Sequence, residues 1–433
     1  MTPQSSFMIL AAIDPAREQS LRALLASMNH EPGVLNLEND LMPFGKLDRL
    51  HFARFVILDD QTTNDITVYG LSRIDFPLYL AFLGDCDGQP DELLAEMVRL
   101  AEPGLRNIFT HCLGYVQNVE MLAWLKAHNV PSSANYVNWI GRTVRQVREE
   151  EELRQKLEDY LQLNVSSFSQ MPPRQLCDML KKYVAEEQQA GRIVLTQPDP
   201  TPFSWRIGNL LNLIGLPLLL LIFLPLAILA LPFFLIQLRH CEKTDPEVAP
   251  RVDPAHANLL SSLEDHDVTN QFSAMGSIKP GLFRRVTMIL VLAAIDYTAR
   301  HVFNRGRLAR VTSIQCARWV FLDGGKRVIF ASNYDGSLES YMDDFINKVY
   351  FGLNVVFSNG IGYPRTRWLI LDGARDEQTF KNYLRRHQMP TQVWYNAFPG
   401  LTAHDKHRNA LIREGLEKTS MTDAEILDWL QLF

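Results

Sequence analysis

The chain has 433 residues, of which 47% are hydrophobic and 21% charged, with a formal net charge of −6. That much apolar material excludes a largely disordered protein, and the lack of a basic excess speaks against nucleic-acid binding. Five cysteines (Cys86, Cys112, Cys177, Cys241 and Cys316) stand far apart with no CxxC, which argues against a disulfide framework or structural zinc and for a reducing compartment. The length suggests two or three domains.

Phe7–Ile13 is an apolar run with no basic lead and is stopped by Asp14, so it reads as a strand and not as a secretion signal. Asp14-Pro15 then starts a helix to about Met28. Phe52–Leu58 and Leu78–Leu83 are strand runs, Pro90 opens a helix with Asp91 and Glu92 in its first turn, and Val119–His128 is a further helix. A charged helix at Val144–Leu163 and a helix at Arg174–Ala190 follow, then a proline-bearing linker at Thr196–Pro202.

From Leu213 to Ile236 the chain carries no charge and no side-chain amide, which meets the length of a membrane span. Pro217, Pro225 and Pro232 interrupt the run, and basic residues lie on both sides, Arg192 and Arg206 before it and Arg239, Lys243 and Arg251 after it. A hairpin turning near Pro225 is the expectation, with a single span as the rival.

Beyond it, Val286–Ile295 reads as a strand or as the start of a helix ending by Gly306. Strands are expected at Ala317–Leu322, Val328–Ser332 and Arg367–Leu371, and helices at Ser337–Tyr350 and Glu377–His387. Thr422 and Glu425 form a capping-box pattern before the last apolar residues.

The two flanks resemble each other. Residues 50–59 match 314–323 at Ala, Arg, Val, Leu and Asp, and 80–115 aligns without gaps on 328–363. His128, Pro131, Tyr136 and Gly141 match His387, Pro390, Tyr395 and Gly400. The strand–helix–strand–strand–helix–strand order in each flank is the ferredoxin-like pattern. The expected organisation is α+β: 1–143 as repeat one, 144–204 as helical linker, 205–240 as membrane segment and 241–285 as connecting segment. Residues 286–402 form repeat two and 403–433 the C-terminal helices. The two repeats would close into a pseudo-twofold α+β barrel.

This tandem pattern resembles the dimeric α+β-barrel superfamily, which includes small monooxygenases and, remotely, dye-decolourising peroxidases. Gly84-Asp85-Cys86-Asp87-Gly88 matches the GxxDG signature of those peroxidases, and haem is the cofactor that the resemblance implies. Ser332-Asn333-Tyr334-Asp335-Gly336 lacks the first glycine, and turn chemistry accounts for Asp-Gly in both places. The segments 51–56, 332–345 and 386–400 also resemble a group of bacterial membrane-associated proteins with no established activity.

Candidate ligand residues come from two arguments. Arg54 and Arg318 are charges inside apolar runs and need a partner or a site; Asp59 and Asp323, or Asp87 and Asp335, are the candidate partners, with Arg318–Asp335 the favoured pair. His51 is singled out because Gln315 stands at the matching place. Asn270, Gln271 and Lys279 belong to a polar, glycine-bearing stretch read as lacking a counterpart in the first flank, and as lining a pocket between domain and bilayer or forming an ordinary loop. His128 and His387, each at a helix end before a proline, read as helix-terminal residues, and Asp335, Glu339 and Asp343 as ordinary helix-start acids.

The function these features point to is binding of an apolar or amphipathic small molecule or lipid at the cytoplasmic face of a membrane. The alternative is a haem peroxidase-like or monooxygenase-like oxidoreductase acting on a lipid-like substrate. Membrane lipid and the ligand are the expected partners, no nucleic acid is expected, and homo-oligomerisation stays open.

Overall fold

The computed structural model describes residues 1–168 and 170–433. The fold is mixed α+β. Its main strands are β1 (Gln4–Ala12), β2 (Leu50–Leu58), β3 (Tyr79–Asp87), β4 (Ala134–Val137), β5 (Thr269–Ser277), β6 (Ile314–Leu322), β7 (Arg327–Asp335) and β8 (Thr391–Asn396). Its helices are α1 (Glu18–Ala26), α2 (Pro90–Phe109), α3 (Met121–Ala127), α4 (Val144–Leu163), α5 (Pro173–Gln189), α6 (Phe203–Thr244) and α7 (Pro254–Ser261). They continue with α8 (Leu282–His301), α9 (Leu338–Phe357), α10 (Glu377–His387), α11 (Ala403–Glu417) and α12 (Asp423–Leu430).

Two four-stranded antiparallel sheets run β1-β3-β2-β8 and β5-β7-β6-β4. The last strand of each half therefore completes the sheet of the other half: β4 pairs with β6, and β8 pairs with β2. Arg54 stands opposite Leu83 and Arg318 opposite Ala331, matching places in the two registers.

Strand side chains alternate between two environments. In β2, Ala53, Phe55 and Ile57 join the core under α1–α3, while Val56 and Leu58 point into the gap between sheets. There they meet Val320, Leu322 and Ile329 of the second sheet, so the sheets pack face to face. Burial on both faces explains why β2 and β6 read as continuous apolar runs. The outer face of the second sheet is covered by α8, α9 and α10. A separate cluster joins α4, α5, α11 and α12, and the capping boxes at Thr143, Thr402 and Thr422 start three of those helices.

Three expectations need correction. Thr269–Ser277 holds in the second sheet the edge place that β1 holds in the first, so the stretch with Asn270 and Gln271 has a counterpart. Its polar residues hid a buried strand because they are paired: Asn270 donates to Asp265 at 2.9 Å and Gln271 accepts from Thr391 at 2.9 Å. Arg367–Leu371 is not one strand: Arg367 and Leu371 pair across a short hairpin whose turn holds Trp368 and Leu369 at positive φ. The ambiguous Val286–Ile295 lies inside α8.

The third correction concerns the apolar run. It forms no hairpin: α6 is one 42-residue helix through all three prolines. It is long and apolar enough to cross a membrane. A proline costs one helical bond, whereas a chain reversal would free several backbone groups, so the helix continues. Pro217 has no N–H for the carbonyl of Leu213, and Tyr297 of α8 donates its hydroxyl there instead at 3.1 Å. His301 of α8 meets Asn212 at 2.8 Å. At the other end the rings of Phe234 and Phe283 pack 5.1 Å apart. Glu242, buried, accepts from Thr366 at 3.1 Å and from the amides of Trp368 and Leu369 at 3.0 and 2.7 Å. Both ends of α6 are thus held on one body, and residues 218–233 between them are exposed.

Candidate functional site

A cavity of about 220 Å³ lies between the outer face of the second sheet and α8–α9. Phe272, Trp319 and Phe330 form its floor, Ile295 and Phe345 its walls. It exists because α9 departs from helical geometry at Val349, and because Gly352 puts no side chain into the space beside it. Tyr341, which also lines it, donates its hydroxyl to Ser332 at 3.1 Å, so its polar end is satisfied within the protein. Apolar cavities of roughly 150 Å³ stay dry and accept hydrocarbon guests. This one is of that order in size and its lining is apolar.

The sequence-derived residues lie elsewhere. Arg54 crosses to the second sheet and donates to the carbonyls of Phe272 and Ser332 at 2.8 and 3.0 Å, to Ser273 at 3.0 Å, and to Asn333. Trp394 packs against it, 5.1 Å from the guanidinium. Burial, then the like charge of Arg318, push Arg54 down to about 9, which leaves it cationic at neutral pH.

Arg318 makes the reverse crossing, donating to the carbonyls of Phe7 and Gly84 and pairing with Asp85 at 2.5 Å. The expected Arg318–Asp335 pair is not formed. Arg318 points into the gap between sheets, whereas Asp335 ends β7 and accepts from Gln315 at 2.5 Å, Thr269 at 3.1 Å and the Ala403 amide at 2.7 Å. Gly84 cannot carry a side chain, because a Cβ there would lie 2.5 Å from the Phe52 carbonyl and 2.8 Å from the Phe7 ring.

His51 and Gln315, the pair singled out as a departure, do meet in space. Both line a small pocket of about 60 Å³ between the halves, together with Phe52, Cys316, Phe398 and Lys406. His51 contacts Asp87 at 2.8 Å, and Asp87 in turn accepts the amide of Val144 at 2.9 Å. Asp87 and Asp335 thus each take the first amide of a helix, α4 and α11.

Lys406 donates to Gln315 and sits 4.0 Å from the Phe398 ring, and burial pushes its ammonium down to about 8. Sequence reasoning missed Lys406, since a lysine near the start of a helix gives no signal of its own.

Comparison with protein-family models, curated proteins and solved structures finds no match to this chain. The site must therefore be read from its own residues. They do not fit the haem that the peroxidase resemblance implies. Asp87 is engaged by His51 and Val144, both buried arginines are committed to the opposite sheet, and no histidine lines the 220 Å³ cavity. Asp87-Gly88, with Gly88 at φ +75°, is the turn from β3 into α2.

Of the remaining candidates, Asn270 and Gln271 are structural, and Lys279 lines an opening at the start of α8.

Proposed function

We propose that the protein is a membrane-associated binding protein, seated on one face of the bilayer, that takes up the hydrocarbon part of a lipid or other apolar or amphipathic small molecule. In this reading the sheets are two ferredoxin-like repeats closed into a pseudo-twofold α+β barrel. The cavity under α9 is the binding site.

One observation carries the proposal: α8 holds both ends of the apolar helix and also walls the apolar cavity. A ligand leaving lipid beside α6 meets the cavity within one helix thickness. The exchange of β4 and β8 supports a one-sided seat, because a through-span at α6 would put paired strands on opposite sides of the bilayer. The helix would instead lie within one leaflet, its ends drawn to the surface by Arg206 and Lys243. Five free cysteines favour the cytoplasmic face.

Single cysteines placed at Asp199 and at Ala249 of a cysteine-free chain test the seat. In sealed vesicles an impermeant maleimide is expected to label both from the same side. Labelling from opposite sides rejects the one-sided seat.

A further inference from the structure

The 220 Å³ cavity has neighbours that share its walls. A narrower space of about 40 Å³ shares Phe330, Val356, Phe357 and Leu384 with it. That space shares Ser277 and Ile278 with a third, of about 430 Å³, at the start of α8. The three lie in a row beneath α8, and measured along the helix from Leu282 to Thr298 the row is about 24 Å long.

Its two ends differ in chemistry. The far end is hydrocarbon. The mouth is lined by Lys279, Arg285 and Lys326 and by no carboxylate. Asp245 serves Lys279 at 3.4 Å and also pairs with Arg284, whereas Arg285 and Lys326 have no acidic partner among the described residues.

The mouth also meets the N-terminus of a 20-residue helix. Gly281, at φ +106°, precedes it and offers no side chain to its first amides. Around the opening, Leu71, Ile74 and Leu282 are 46%, 39% and 76% exposed. Uncompensated positive charge at the mouth and hydrocarbon at the far end together define an amphiphile.

We infer that the three spaces join into one tract that holds one molecule of a single-chain acidic amphiphile. Its carboxylate or phosphate head would sit at Lys279, Arg285, Lys326 and the start of α8, with its tail running under α8 into the cavity. This rests on the ligand-binding reading above and assigns it a substrate class. Two free cations and the helix start select the anionic head, and the narrow middle section admits one chain.

Trp319 lines the far end and reports the tail. Dibromostearic acid is titrated into the purified full chain, and the quenching lost in Trp319→Phe is taken as the signal from this site. The acid is expected to act at about tenfold lower concentration than dibromostearyl alcohol. In the Arg285→Gln, Lys326→Gln double variant that advantage is expected to disappear, with the alcohol unchanged.

Equal potency of acid and alcohol in the native chain, or an unchanged preference in the double variant, overturns the head site and leaves the cavity reading standing. Absence of Trp319 quenching by either compound overturns both. Displacement of the brominated acid more strongly by a monoacylglycerol phosphate than by stearate assigns a phosphate head, and the reverse order a carboxylate.

Discussion

Arg318 and Asp85 meet at 2.5 Å across the gap between the two sheets, both buried. Arg54 makes the opposite crossing and finds Asn333, a neutral side chain, in the corresponding place. These two crossing guanidinium groups therefore have one carboxylate beside them. Arg318→Met leaves Asp85 buried without its cation and is expected to cost about 3–5 kcal/mol. Arg54→Met strands neutral acceptors, removes a like charge from Arg318, and should cost less, roughly 1–3 kcal/mol. Denaturant midpoints of the two variants check the order, and equal losses would contradict it.

Buried titrating groups give stability a pH dependence of definite sign. Lys406 has a folded-state value of about 8 against an ordinary 10.5, so between those values the unfolded chain binds more protons and stability rises with pH. Lys279, also pushed down to about 8 by burial, adds to the same slope. Glu150, pushed up by burial from 4.5 to about 7, acts oppositely: the native state holds more protons there, and stability falls as pH rises through that range. These groups together predict a shallow trough between about pH 7 and 8. Lys406→Met should raise the midpoint at neutral pH and lose that advantage at roughly pH 10. A gain that persists unchanged at the higher pH would rule out the lysine as its source.

Gly352 sits on α9 beside the apolar cavity with nothing near the position of its missing Cβ. Gly352→Leu should stabilise by about 1 kcal/mol through helix propensity alone. Its side chain would also take space from a guest. Extraction and mass spectrometry of the purified chain should find less bound apolar material in the variant, together with a higher melting temperature. Unchanged ligand content would place the guest elsewhere.

The exchange of β4 and β8 predicts that a cut backbone does not release its pieces. A protease site engineered into the exposed linker at 197–200 separates two fragments that are each missing a strand. The nicked chain should co-migrate as one species until denaturant is added, because separation would break both edge pairings. Release of free fragments in native buffer would show that the pairings are weak.

Much of the architecture was legible. Apolar runs located β2 and β6, and proline and acidic first turns located α2. Internal alignment placed Arg54 and Arg318 at matching registers. Their partners were not legible, because each lies on a strand of the other half, and sequence patterning says which face is buried but not what buries it. The same limit hid the strand exchange: β4 and β8 present the same alternation whichever sheet they join. The polar β5 escaped recognition because Thr269, Asn270 and Gln271 are satisfied by partners outside the strand. The cavity rests on a break in α9 at Val349, which has no proline to announce it, unlike the break in α2 at Ala101 before Pro103.

The crossing of the last strands also sets an order on biosynthesis. Translation delivers the chain from its N-terminus. When α6 leaves the ribosome, β4 has no β6 to pair with, and β2 still lacks β8, which lies in the final stretch of the chain. The apolar helix therefore meets its environment while the first sheet has an open edge and β4 stands unpaired, a state in which exposed strand edges invite wrong pairing. Early capture of α6 at a lipid surface would keep the first half tethered and dilute in two dimensions until the second half arrives. The second half must then emerge on the side where the first is waiting, so the route of the nascent helix decides whether the two sheets can ever close.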